Sequence, residues 1–112
     1  MSGAVATTLD RIQRHAGIRS RDVAQLMGTT QQTVSRWRHS RAAPQPSALT
    51  RLLALEWVAT QLAEFYEPDE ARLWLYRPHP LLAGGRPADR IQAHDIDAVL
   101  ALIDQLKSGA YV

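Results

Sequence analysis

Polar side chains suited to reading DNA bases are gathered between Ser20 and His39. Gln can bond adenine through both ends of its amide, Arg can bond O6 and N7 of guanine, and Thr can meet a thymine methyl or a phosphate. Thr30, Gln31, Gln32 and Arg36 supply that chemistry, and Ser35 beside them is a further DNA-binding candidate. Arg38 and Arg41, with Arg21 a further candidate, are placed to meet phosphate, which gives affinity without sequence information. The competing reading is a helical hairpin with an ordinary charged surface.

Catalytic chemistry has little support. The histidines His15, His39, His79 and His94 are scattered, with no His-Glu-x-x-His or comparable pair, and there is no cysteine. Gly84-Gly85 lacks the Lys-Ser/Thr of a phosphate-cradling loop. The carboxylates Glu67, Asp69 and Glu70, and Asp95 and Asp97, sit at predicted helix starts, where capping and the helix dipole account for them. Trp57 and Trp74 read as core rather than as a ligand platform. The expectation is a protein with no catalytic residue, no metal site and no cofactor.

These residues require helices to position them. Apolar side chains recur at three- and four-residue intervals, with no sustained alternation and no Asn-Gly or Asp-Gly hairpin turn, so the predicted class is all-α. Leu9 and Ile12 mark a first helix ending at Gly17; Ser20 is the expected N-cap of a second, with Asp22 in its first turn. Val23, Ala24 and Met27 face inward, Gly28-Thr29-Thr30 makes the turn, and Val34 and Trp37 form the inner side of a third helix. At 100° per residue, Gln32, Arg36 and His39 then lie opposite that inner side, with Gln31 and Ser35 at its edges. This polar and cationic face is the one that would enter a major groove.

Two prolines in Ala42-Ala43-Pro44-Gln45-Pro46 predict a linker. A long helix follows from Ser47 to about Tyr66, apolar on most sides, so it must be central or bury a second face against another chain. Pro68 starts a helix running to about Tyr76, ended by Arg77-Pro78-His79-Pro80, and Pro87 starts a short one through Ile91. Asp95 caps a last helix with the stripe Ile96, Val99, Ile103 and Leu106; Lys107 lies in its last turn and Gly109 just past it.

The 112 residues correspond to one domain, or at most two small layers sharing a core. No apolar run approaches a membrane span and no secretory signal is visible, so a cytoplasmic location is expected. Charge is unevenly divided: residues 1–46 carry seven arginines against two acids, and residues 47–112 carry six basic residues against nine acids. That split suggests a polyanion-binding front, 1–46, and a rear half, 47–112, with another task. Small helix-turn-helix proteins usually bind as dimers to half-sites about 34–36 Å apart, and the apolar excess of the 47–66 helix offers a surface for such pairing.

Residues 20–39 resemble the Xre-type helix-turn-helix. Residues 47–112 resemble the toxin-binding C-terminal domain of the Xre/MbcA/ParS antitoxin family, most closely its MbcA branch. The likeness is carried by Leu62-Ala63-Glu64, Ala71-Arg72-Leu73-Trp74-Leu75, Pro80-Leu81-Leu82, Gly85-Arg86-Pro87-Ala88-Asp89, and Val99-Leu100-Ala101-Leu102-Ile103-Asp104 followed by Gly109 and an aromatic. It implies an antitoxin that neutralises a RES-domain, NAD-degrading toxin and represses its own operon through the front half. It also implies toxin contacts from Trp74, Arg86 and the segment Lys107, Ser108, Gly109, Ala110, Tyr111 and Val112, which would cover the toxin's active site. Physically, Gly109 releases the chain from helical geometry, Tyr111 offers a rigid aromatic anchor and Val112 offers a carboxylate. An ordinary frayed terminus is the plain alternative for that segment. For the whole chain the alternatives are a free-standing dimeric repressor and an enzyme inhibitor that no longer binds DNA. Two departures stand out: His79 replaces the more frequent Asn, and Gln92-Ala93-His94-Asp95 lacks a Gly often found nearby.

Overall fold

Glycine, proline and short polar caps divide the chain into its helices. The computed structural model describes residues 3–109. Helix α1 (Ala4–Ala16) stops at Gly17, whose φ is +65° and where a Cβ would press on the Pro68 carbonyl oxygen at 3.1 Å. Helices α2 (Ser20–Met27) and α3 (Gln31–Arg38) are joined across Gly28, again left-handed at φ +69°. Thr30 caps α3, its Oγ1 accepting the Thr33 backbone N–H at 3.1 Å.

The start of α2 differs from expectation. Arg19, not Ser20, is the extended cap residue, because Asp22 reaches back and accepts the Arg19 N–H at 3.0 Å. Ser20 joins the first turn instead, and its Oγ accepts Nη2–H of Arg38 at 3.1 Å.

Helix α4 (Pro46–Leu62) begins one residue before Ser47, since a proline is tolerated at the first helical position. It ends well short of Tyr66. The next helix, α5 (Pro68–Tyr76), opens on a proline, and the residue before a proline avoids helical geometry. Residues 63–66 therefore turn the chain, with the Phe65 and Tyr66 N–H groups donating to the Leu62 carbonyl at 3.0 and 2.9 Å. A 3-10 turn (Pro80–Leu82), α6 (Pro87–Gln92) and α7 (Ile96–Lys107) complete the fold, with Asp95 capping α7 as expected. Among the described residues there is no strand; the fold is all-α.

The helices on either side of residue 46 share one core. Helix α1 packs against α4 and α5, α4 against α7, and α2 against both α3 and α6. Leu9 and Ile12 of α1 belong to the same buried cluster as Leu55, Val58 and Leu62 of α4, Leu75 of α5 and Ile103 of α7. On α4 the inward stripe is Leu52, Leu55, Val58, Ala59 and Leu62. That phase turns Leu49, Leu53 and Trp57 to the outside. The expectation of Trp57 in the core is thereby corrected: it is 54% exposed, two residues past Leu55 and so on the far side of the helix.

Candidate nucleic-acid and partner-binding faces

Once Val34 and Trp37 are buried, helical geometry fixes what α3 shows to solvent. Gln31, Gln32, Ser35, Arg36 and His39 are all exposed, as is the capping Thr30. His39 holds its Nδ1–H on the Ser35 carbonyl at 2.8 Å, closing the helix end. Arg36 pairs with no carboxylate among the described residues, so its guanidinium is available to a base. Arg41 lies past the helix end, exposed, with its backbone N–H donating to the Arg36 carbonyl at 2.8 Å.

Arg38 is differently placed. Its Nη1 bonds Asp10 Oδ1 at 2.6 Å and its Nη2 donates to Ser20 Oγ, which ties α3 to α1 and α2. Its charge is thus largely matched within the chain. Arg19 and Arg21, at the head of α2, are exposed and border an open hollow of about 440 Å³ shared with Gln13, Gln31, Ser35 and Arg38. The sequence reading passed over Arg19 and Gln13; their nearness to α3 depends on how α1 and α2 cross, which no local pattern encodes.

Helices α2 and α3 are fastened to the rear of the molecule by polar bonds at both ends of α2. At its head, the Asp22 carboxylate is 3% exposed and receives both arms of the Arg72 guanidinium from α5, Nη2 at 3.1 Å from Oδ1 and Nη1 in a closer bond to Oδ2. Burial pushes the Asp22 carboxyl up, but the bonds from Arg72 and the Arg19 N–H outweigh it and hold the group below its ordinary range. The same pairing raises Arg72, whose Nη1 also donates to the Gly17 carbonyl at 3.3 Å.

At the tail of α2, Arg51 of α4 donates to the carbonyls of Met27 at 3.0 Å, Leu26 at 3.2 Å and, on α6, Ile91 at 3.1 Å. The cation satisfies the Leu26 and Met27 carbonyls that the end of α2 leaves unpaired, and adds a second bond to the Ile91 carbonyl, which also accepts the His94 N–H at 3.1 Å. Gln92 adds a bond from Nε2 to the Gln25 carbonyl at 3.2 Å.

At the rear, the expected toxin-contacting residues fall into different settings. Trp74 is 8% exposed and faces inward, edge-on to His79 with ring centroids 6.3 Å apart; its place is the core. His79 is buried too, and its Nδ1 accepts the Leu81 N–H at 3.4 Å, so the imidazole caps the 3-10 turn. Arg86 bonds Asp89 at 2.7 Å and lies over the Tyr76 ring at 5.7 Å; Arg72 lies over the same ring at 4.9 Å. Burial, then the negative charge of Asp22, raises the Tyr76 hydroxyl above its ordinary value. Lys107 is exposed, with Nζ 5.9 Å from the centre of the Trp57 ring. Ser108 and Gly109 are exposed and end α7, Gly109 at φ +80°. Ala110, Tyr111 and Val112 lie outside the described residues.

Among the described residues, no group of three or more His, Asp or Glu side chains could hold a metal ion, and no helix is long and apolar enough to cross a membrane. The remaining large exposed apolar side chains are Leu49 and Leu53 beside Trp57 on α4, and Phe65, Leu73 and Leu81 elsewhere.

Residues 54–109 match the family model described as the antitoxin Xre/MbcA/ParS C-terminal toxin-binding domain. Over 108 residues the chain is 32% identical to the mycobacterial cidal antitoxin MbcA of Mycobacterium tuberculosis and of Mycobacterium bovis, covering 96% of this chain and 96% of the relative in each case. This chain belongs to the Xre/MbcA/ParS antitoxin family. The crystal structure of the M. tuberculosis MbcT–MbcA toxin–antitoxin complex holds a chain similar to it at a TM-score of 0.83 and 31% identity, over 98% of this chain and 99% of that one. Within the Xre/MbcA/ParS match fall Trp57, Trp74, Arg86 and Lys107, whereas α1, α2, α3, Leu49 and Leu53 precede it. The nearly full-length likeness to MbcA extends through that front half as well.

Proposed function

We propose that this chain is the antitoxin of a type II toxin–antitoxin pair and that it neutralises a RES-domain, NAD-degrading toxin in the cytoplasm. The observation that carries this reading is its likeness, over 98% of its length, to a chain of the MbcT–MbcA complex. Neutralisation is assigned to residues 47–112: the segment from Lys107 to Val112 covers the toxin's active site, with Gly109 redirecting the chain and Tyr111 as the anchor. Arg86 stays near the surface, its side chain partly exposed, and can contribute a further contact. The chain itself performs no catalysis.

Residues 1–46 carry operator binding. Gln31, Gln32, Ser35 and Arg36 read base edges in the major groove, Thr30 sets the start of the reading helix, and Arg41 meets phosphate. A homodimer presents two such helices to two half-sites, and repression of its own operon follows. The exposed polar face of α3, opposite buried Val34 and Trp37, supports this part of the reading.

Deletion of residues 110–112 tests the neutralising segment. Co-expressed with the RES-domain protein encoded beside it, the truncated chain is expected to fold and still bind DNA, yet to let cellular NAD fall and growth stop. Full protection by the truncated chain would refute the role of the tail. The absence of any toxic neighbour would reduce the chain to a free-standing repressor.

A further inference from the structure

The exposed apolar ridge on α4 divides at the edge of the matched toxin-binding segment. Leu49 and Leu53 precede residue 54, whereas Trp57 lies inside the match. The last turn of α7 closes beside Trp57, with the Lys107 ammonium 5.9 Å from the ring centre, within the range of a cation–π contact. The cation over its face leaves the indole half open to solvent, as a large aromatic must be to anchor a partner.

The covalent chain limits how far from Lys107 such a partner can stand. Tyr111 is four residues past Lys107, and an extended chain covers at most ~3.6 Å per residue, so Tyr111 stays within about 14 Å of Lys107. A cleft that admits Tyr111 therefore opens within that distance of Lys107, whose ammonium stands over the exposed Trp57 ring. We infer that Trp57, with Lys107 above it, is a ledge on which the toxin rests beside the inserted tail, and that Leu49 and Leu53 are left to the second copy of this chain. The inference rests on the reading that the tail enters the toxin.

The test measures the affinity of the full-length chain for the RES-domain protein encoded beside it, together with sedimentation of the chain alone. Trp57→Ala is expected to raise Kd for the toxin at least about tenfold and leave the oligomeric state unaltered. Leu53→Ser is expected to weaken self-association and keep the toxin Kd within about twofold of wild type. Hydroxyl-radical labelling of Trp57 in the unmutated chain reads the same contact without a substitution, and is expected to fall severalfold when toxin is added. An unchanged toxin Kd for Trp57→Ala, or undiminished labelling, overturns the ledge. So does loss of self-association with toxin affinity intact, which would assign the whole ridge to the second copy. Neutralisation that survives deletion of residues 110–112 refutes the tail reading separately, because the ledge is scored by affinity and labelling. If the unmutated chain binds no toxin, both fall.

Discussion

Replacing Asp22 by Ala should be among the most damaging single changes outside the apolar core. Three bonds converge on this carboxylate: two from Arg72, fifty residues away in sequence, and one from the Arg19 N–H that starts α2. Loss of a capping side chain costs roughly 1 kcal/mol. Breaking a fully buried ion pair costs about 3–5 kcal/mol, because the remaining charge is stranded. Here Asp22 is buried but the Arg72 side chain is 36% exposed and can take up water, so only part of that penalty applies. A loss of about 2–3 kcal/mol is expected, which for a chain of this length lowers Tm by roughly 10 °C. Thermal unfolding followed by circular dichroism measures it, and a double-mutant cycle with Arg72→Ala isolates the pair. The pH dependence has a definite sign. The folded-state carboxyl is depressed, so its stabilisation is complete above the unfolded value of about 3.9 and disappears as acid carries the pH down through the folded value. Wild type should lose stability in that acid window faster than Asp22→Asn. If the two single substitutions add with a coupling under about 0.5 kcal/mol, or if the acid profiles coincide, the clamp is not what fastens α2.

Other substitutions separate the roles of the two faces. Arg36→Ala should weaken specific operator binding by ~1–3 kcal/mol with neutralisation and Tm preserved, read by fluorescence anisotropy at several salt concentrations. Arg51→Met keeps much of the aliphatic stem but strands the Leu26 and Met27 carbonyls, while the Ile91 carbonyl keeps the His94 N–H; a loss of about 2 kcal/mol in denaturant unfolding is expected, with protease sensitivity rising first around residues 26–30.

The α3 face was legible from sequence because a single assumption, Val34 and Trp37 inward, fixes every other residue of so short a helix. Glycine and proline likewise announced most of the helix ends. Helix α4 shows where that logic stops: it is apolar almost all round, so periodicity alone gives no phase, and Trp57 was placed in the core. The missed polar contacts share another cause. Arg38 with Asp10, Arg72 with Asp22, and Arg51 with three carbonyls join residues 24 to 50 positions apart. Such bonds leave no spacing pattern, since they depend on how finished helices cross. His79 is an intermediate case: its neighbouring prolines marked a turn, but only the packed structure reveals that the imidazole caps it.

The double fastening of α2 bears on how such antitoxins can be recombined. The proline-rich stretch before α4 looks like a natural place to exchange one front half for another. Yet a foreign front joined there would face Arg72 and Arg51 from the resident rear, and would need an acid at position 22 and open carbonyls at the end of its second helix to receive them. Under the proposed operator-binding role, new preferences are therefore more readily reached by changing the outer residues of α3 than by grafting a whole front.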